Sequence, residues 1–534
     1  MSGLTADVAT VGDAFVAQVA RRGDAPAILN TNLDVAYSWR EYGAAARRLA
    51  TGLLERGLGD RDTLGLLLRN RPEFHLADAA ALLAGATPFS MYNTSSPEQL
   101  VHLITDAGCR IVITEPELLD RLNAALRLQR GIVEQVIVVD SPEWSQLLGS
   151  AEIDRHAAVA PDDLATLIYT SGTTGPPKGV ELTHRNVLTM ATDMTAALGA
   201  HTNMRAISYL PMAHIAERVS SHYLAVTNGY AVVCCPELAD VTALLPRVEP
   251  EIFFSPPRMW EKMHAAFAGP VAAGADPAEI RRQLGFRRLR VALTGAAPCP
   301  PGIIEFFASL GISLREVYGM SETTGVVSVS PADDVRPGSV GPPLPSAEVK
   351  LADDDELLVR GPLVMAGYRN RPQASAEAID AEGWLHTGDI AAFEDGHLRI
   401  IDRKKELIIN AAGKNMSPAN IEARLVESDP LIGQACVIGD GRPYNVALIV
   451  TDPMLAGSYP TGDALQAAVQ AGVDRANARL ARVEQIKRFA VLTSEWLPDS
   501  DELTPTMKLK RRPIAQKYAA QIDALYTTNT KEIR

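Results

Sequence analysis

Leu164-Ala-Thr-Leu-Ile-Tyr169 runs directly into Thr170-Ser-Gly-Thr-Thr-Gly-Pro-Pro-Lys-Gly-Val180. The first six residues form a short apolar run ending at turn-forming residues, the pattern of a buried strand. The next stretch carries four hydroxyls (Thr170, Ser171, Thr173, Thr174), three glycines (Gly172, Gly175, Gly179) and one lysine, Lys178. Glycines let backbone N–H groups approach an anion, hydroxyls donate to it, and a lysine adds a compact positive charge. Such a loop suits a polyphosphate. It is not a Walker A loop, which needs glycine, four residues, then Gly-Lys-Ser/Thr; the position five after Gly172 is Pro177. Generic Ser/Thr/Gly stretches are more often surface linkers. The preceding strand and the Pro-Pro-Lys-Gly ending weigh against a linker here.

Outward from this point, helical patterns such as Trp39–Arg56 alternate with β-branched runs at 63–68, 110–114 and 135–139. That alternation predicts layered α/β structure with mainly parallel strands. Residues 252–254 and 290–293 read as further buried strands feeding loops. After Gly338 the texture changes to short strands with turn signals, at 348–351, 355–359 and 397–401, a small β subdomain. Beyond Asp402 come an expected strand at 405–409, a helix at 418–427, a strand pair at 434–439 and 445–450, and a long helical stretch at 464–483. The expected division is therefore 1–402, a large N-terminal domain, and 403–534, a smaller mobile α+β domain.

The 534 residues, 47% hydrophobic and 22% charged, allow several cores without disulfides or metals. A net charge of −13 argues against nucleic acid or anionic membrane as a general partner. The five cysteines show no CxxC pair and no zinc spacing, and read as buried reduced thiols of a cytoplasmic protein. The N-terminus lacks the apolar core of a signal peptide, and the longest apolar stretch, 79–92, is too short to span a bilayer. At most peripheral membrane contact is expected.

The 169–180 segment resembles the signature loop of the acyl-adenylate-forming superfamily, which includes acyl-CoA synthetases, luciferases and peptide-synthetase adenylation domains. Further matches follow in that family's order: Leu210-Pro-Met-Ala-His214, Gly295-Ala296-Ala297, Tyr318-Gly319-Met-Ser321-Glu322, Gly383-Trp-Leu-His-Thr-Gly-Asp389, Arg403-Lys-Lys405 and Pro505-Thr-Met-Lys508. Together they cover about residues 10–525. The resemblance implies ATP-dependent activation of a carboxylic acid to acyl-AMP, then transfer to a thiol, with ATP, Mg²⁺ and CoA as cofactors or co-substrates. Little covalent chemistry is asked of the protein, so charge neutralisation and alignment carry the rate.

By the same resemblance, Thr170 to Gly175 and Lys178 cradle the phosphates, and Glu322 with Thr174 holds Mg²⁺. Tyr318 lies against adenine, the small Gly295-Ala296-Ala297 turn passes the base, and Ser321, beside Gly319, contacts phosphate. Asp389 accepts from the ribose hydroxyls and Arg403 contacts the same sugar. Lys405 is the hinge between two orientations of the C-terminal domain. Lys508 bridges the acid and the α-phosphate, with Lys510 as its alternative. His214 lines the acyl site, with a buried structural histidine as the rival reading. Gly413 borders the pantetheine tunnel. Arg258 and Trp260 recur in long-chain enzymes and receive no role, and the five arginines of 281–290 read as solvated surface, or more weakly as a docking patch for CoA phosphates.

The family usually has glycine before the catalytic lysine; here it is Met507. Together with the Ala-His-Ile-Ala-Glu-Arg element and the Tyr92-Asn-Thr-Ser-Ser segment, that departure resembles the long-chain fatty acid–CoA ligase branch. The expected enzyme joins a medium- to long-chain fatty acid to CoA, as a monomer or homodimer. Three alternatives stay open: an acyl-AMP ligase loading an acyl carrier protein, a CoA ligase for another acid, and a noncatalytic lipid-binding relative.

Overall fold

The computed structural model describes residues 8–153, 157–170, 176–199, 203–410, 414–492, 494–497, 500–504 and 508–527. At its centre is a seven-stranded sheet, in the order 367–368, 178–183, 164–170, 87–90, 63–67, 111–114 and 135–138. The five strands from 164–170 to 135–138 run parallel; four were expected from their apolar or β-branched runs, and 87–90, Thr-Pro-Phe-Ser, was not. The strand 178–183 turns back antiparallel, pairing Thr170 with Lys178 and Tyr169 with Gly179. The strands that flank the phosphate-type loop therefore pair antiparallel, whereas a Walker loop leads from strand to helix.

Local chemistry fixes the covering helices. Ser38 and Glu41 form a capping box at the start of helix 39–55, whose apolar face buries Leu49 and Leu53 completely. Each such leucine is worth about 1.5–3 kcal/mol of burial. Ser96 and Gln99 cap helix 97–107 in the same way, and Gly108, at φ 69°, ends it in the left-handed region that glycine tolerates.

A second, four-stranded sheet orders 35–38, 26–29, 231–234 and 205–208; a third orders 252–255, 291–295, 314–318 and 328–329. The fourth, 348–351, 356–360, 385–394 and 397–403, is wholly antiparallel, the β subdomain expected after Gly338.

The C-terminal domain has its own core around Ile421, Leu425, Ile449 and Val473. Its strands 432–438, 445–451 and 486–492 form one sheet against helices 418–428 and 462–477. Two expectations are corrected here. Residues 404–406 form a turn and only Ile408–Ile409 is strand, because the lysines and Glu406 seek solvent and ion pairs. The long helix stops at Asn477, whose side chain is recruited to cap the incoming strand, accepting from the Ile486 N–H at 2.9 Å.

Candidate active site

The C-terminal ends of the parallel strands converge on one cleft, where ligands gather in open α/β sheets. Strand 164–170 delivers Thr170; Ser171, Gly172, Thr173, Thr174 and Gly175 lie outside the described residues, as does Gly413. Across the hairpin, Lys178 stands with its ammonium 4.7 Å from the centre of the Tyr368 ring. Tyr368 sits on the neighbouring edge strand, opposite Val180, and its hydroxyl donates to Glu322 Oε1 at 2.8 Å. Lys178 and Glu322, about 140 residues apart in sequence, thus share one tyrosine as mediator.

Glu322 is buried on a single helical turn, 321–323, just after strand 314–318. Gly319 must be glycine: a Cβ there would fall 2.4 Å from the Gly325 carbonyl oxygen. Ser321 is half-buried beside it. Gly295 ends strand 291–295 under the same constraint, its missing Cβ leaving room for Val317. Ala296 follows at φ 67°, a left-handed conformation costing an alanine about 1 kcal/mol or more. Ala297 is exposed.

Tyr318 ends its strand with the hydroxyl donating to Asp389 Oδ2 at 2.6 Å. Asp389 is paired in register with Arg403 on the next strand, and Arg403 Nε lies 3.1 Å from Asp389 Oδ1. Burial raises the Asp389 carboxyl above its ordinary range, opposed by Arg403, Tyr318 and Lys508. Lys405 stands exposed in the turn directly after this strand. Its neighbour Lys404 is tethered back to the β subdomain, 2.5 Å from Asp354 and 2.9 Å from Glu356. On the other side Asp402 accepts from the Ser417 hydroxyl at 2.5 Å, so the last residues of the body hold the cap of the first helix of the C-terminal domain.

Lys508 returns to the cleft from the C-terminal domain. Its N–H donates to the Thr504 hydroxyl at 3.0 Å, and Leu503 bridges to Leu509, so the lysine stands at the mouth of a narrow hairpin. Pro505, Thr506 and Met507 lie outside the described residues. Lys508 is exposed as a residue, while the protein around its ammonium partly desolvates it. That desolvation, helped by Arg403, lowers its pKa, against the pull of Asp389, Glu406 and Glu322. Lys510 is turned away and donates to the Ser500 carbonyl at 2.9 Å.

His214 caps the helical turn 215–217, its Nδ1 accepting from the Ala216 N–H at 3.2 Å. Burial, and then the nearby Lys508, push its pKa down to about 3. A neutral imidazole that accepts at Nδ1 carries its proton on Nε2. The ring is therefore an uncharged donor, which does not repel Lys508.

Arg258 spans the two domains, donating 3.1 Å to the Gly433 carbonyl while pairing with Glu261. Trp260 is core, packed on Phe253, Phe286 and Phe307. Four of the five arginines in 281–290 are already engaged: Arg281 with the Gly311 and Phe286 carbonyls, Arg282 with Glu279, Arg287 with Glu249 and Arg288 with Glu251. Tyr368 and Asn70, which organise the cleft, carried no signal in the sequence reading. All five cysteines are buried and unpaired in disulfides, as expected. No group of three or more His, Cys, Asp or Glu side chains among the described residues forms a metal cage, and no described helix is long and apolar enough to cross a membrane.

A layered α/β body carrying Lys178, Glu322 and Asp389 on one cleft, capped by a small domain carrying Lys508, is the architecture of a two-domain nucleotide-binding enzyme. The AMP-binding enzyme family model matches residues 15–369, and that of the AMP-binding enzyme C-terminal domain matches 405–530. The chain belongs to this family. It is 44% identical to a putative fatty-acid–CoA ligase of Mycobacterium tuberculosis, over 70% of this chain and 75% of that one. It is 33% identical to a long-chain-fatty-acid–CoA ligase of Mycobacterium bovis, over 90% of each. Among solved structures, a Mycobacterium tuberculosis fatty acyl CoA synthetase superposes with a TM-score of 0.71 at 25% identity, over 96% of this chain and 99% of that one.

Proposed function

We propose that this chain is an acid–thiol ligase that activates a medium- to long-chain fatty acid with ATP and passes the acyl group to CoA. A carboxylate oxygen of the acid attacks the α-phosphorus, the bond to the bridging oxygen breaks, and pyrophosphate leaves. The CoA sulfur then attacks the acyl carbonyl carbon, loses its proton, and AMP departs. The observation that carries this reading is the meeting of Lys508, from the C-terminal hairpin, with Asp389, Arg403, Glu322 and His214 in one cleft.

Each group has a task in that sequence. Lys178 and the hydroxyls of the hairpin loop hold the phosphates, and Asp389 exchanges its bonds to Tyr318 and Arg403 for the ribose hydroxyls. Lys508 neutralises the charge passing from carboxylate to pyrophosphate, an interaction stronger in the transition state than before it. Neutral His214 donates to the acid without adding a second cation. Mg²⁺ fits Glu322, because that ion takes few protein carboxylates and keeps substrate oxygens and water as its other ligands. When bound it would neutralise phosphate charge, with Glu322 and Thr174 as the residues that would hold it. The domain boundary is proposed at residues 402–405, with Lys405 as the pivot, and Gly413 as the small residue beside the pantetheine arm.

ATP–pyrophosphate exchange across saturated fatty, aromatic and short acids, followed by AMP release with and without CoA, tests the proposal. Exchange confined to fatty acids with CoA-dependent AMP release is expected. CoA-independent product release, with transfer to an acyl carrier protein, would replace the acceptor; no exchange with any acid would remove the activity.

A further inference from the structure

The loop that carries His214 is gripped by a carboxylate that the reaction itself does not use. Strand 205–208 gives way to Tyr209-Leu210-Pro211, then to His214, the turn 215–217 and a buried π-helix, 218–223. Such π-helical insertions are rare and concentrate at functional sites. Glu217, 1% exposed, reaches back over the loop. Its Oε1 accepts from the Tyr209 N–H at 3.1 Å and the Ser221 hydroxyl at 2.6 Å, and its Oε2 accepts from the Leu210 N–H at 3.1 Å. The Asn70 amide joins the same cluster, donating to the Leu210 carbonyl at 2.8 Å, to the Ser208 hydroxyl at 2.9 Å and, more weakly, to Glu217 Oε1 at 3.5 Å.

Leu210 is thus held through both its N–H and its carbonyl. Pro211 follows with a ring-fixed φ, and the His214 N–H donates to the Pro211 carbonyl at 2.9 Å. A direction imposed at Leu210 therefore passes through a stiff residue and a closed turn to the imidazole. We propose that Glu217 is a positioning residue for acid recognition: by clasping the Tyr209 and Leu210 amides it sets where His214 stands, and so governs affinity for the acid but not for ATP. This rests on the reading that the cleft activates a fatty acid.

Two carboxylate oxygens facing two N–H donors are matched only while both oxygens accept. Desolvation pushes Glu217 up to about 7, opposed by Ser221, Ser208 and the two backbone amides. The other titratable groups that sense it are the Tyr209 phenol, Cys234 and Cys235; burial raises all three, Cys235 to about 11, so they stay neutral across this range. As pH falls through 7 the carboxylate gains a proton, one oxygen becomes a donor facing a donor, and the clasp loosens.

The test is pyrophosphate exchange by the full chain, using the best substrate of a saturated fatty-acid series. Wild type is expected to show an acid KM that rises as pH falls between roughly pH 8 and 6, with a flat KM for ATP. Glu217→Gln keeps the volume but places an NH₂ against a backbone N–H; the acid KM should rise about five- to twentyfold, near 1–2 kcal/mol, and lose its pH slope. Ser221→Ala removes the hydroxyl that helps keep the carboxylate charged, and should move the inflection to higher pH. If Glu217→Gln fails to fold, the Ser221→Ala inflection decides alone. An unmoved inflection, or acid and ATP KM rising in parallel, overturns the clasp. Absence of exchange by wild type with every fatty acid is a different result and removes the function proposal beneath it.

Discussion

Two clusters in this molecule place a carboxylate against cations, and they differ in their access to water. Inside the N-terminal body Asp78 pairs with Arg218 and accepts from His222 at 2.8 Å, and Arg218 also meets the Ser90 hydroxyl at 2.8 Å and the Tyr223 hydroxyl at 3.1 Å. Asp78 and Arg218 are 0% exposed. At the domain junction Asp389 pairs with Arg403 at 3.1 Å, but the Arg403 side chain is 46% exposed and Lys508 stands in the open cleft. The sealed cluster turns Arg218 Nε, Nη1 and Nη2 onto protein groups and ties helix 72–83 to the π-helix; the open one keeps bonds that a nucleotide can take over. Breaking the first should cost stability, and breaking the second should cost chemistry.

The largest expected effect comes from the sealed side. Asp78→Ala leaves the Arg218 guanidinium buried with no counter-charge, a loss of about 3–5 kcal/mol of stability by denaturant unfolding. Burial pushes the Asp78 pKa up, but Arg218 and His222 outweigh it and hold it below the ordinary value. The stabilisation is thus present above the unfolded pKa and fades as pH falls through the folded one. On the open side, Lys508→Ala should lower pyrophosphate exchange by two or more orders of magnitude, roughly 2.7 kcal/mol or more, with an unchanged unfolding midpoint. Near-normal exchange would remove Lys508 from the reaction; a large drop in midpoint would erase the contrast between the clusters.

That contrast also explains what the sequence made legible. Linear motifs bring contiguous residues to the cleft, so Tyr318 with Glu322, Asp389, and Arg403 with Lys405 were visible in strings; partners outside those strings were not. Tyr368 reaches Glu322 only because an edge strand pairs beside Val180, and Asn70 reaches Leu210 only because two sheets meet. Four of the five parallel strands of the central sheet showed as apolar or β-branched runs. Strand 486–492 buries Ile486, Phe489 and Leu492, so it shows neither a clean alternation nor a continuous apolar run, and it went unread. Asp78 and Arg218 meet across 140 residues, and nothing local in the sequence marks that buried ion pair.

Tyr368 offers a smaller, sharper cut within the open cluster. Tyr368→Phe keeps the ring beneath Lys178 and removes the hydroxyl that orients Glu322 at 2.8 Å. A hydrogen bond to a charged group is worth about 1.5 kcal/mol or more, so the Mg²⁺ concentration giving half-maximal exchange should rise about tenfold with the acid KM unchanged. An unchanged Mg²⁺ requirement would leave Tyr368 as packing alone.

The smallest effect tests whether the open cluster is open because the domains move. Arg258 donates across the junction to the Gly433 carbonyl in the orientation that brings Lys508 to the cleft. One solvent-accessible hydrogen bond shifts an equilibrium by only about 0.5–1 kcal/mol. Arg258→Ala should therefore slow pyrophosphate exchange about two- to fivefold while leaving the transfer of preformed acyl-AMP to CoA at or above the wild-type rate. The opposite signs are the point of the measurement, because a general loss of stability would slow both half-reactions together. If both fall equally, Arg258 is a structural contact like Trp260 beside it, and the orientation of the C-terminal domain is set elsewhere, by the Lys404 tether to Asp354 and Glu356 or by Asp402 at Ser417.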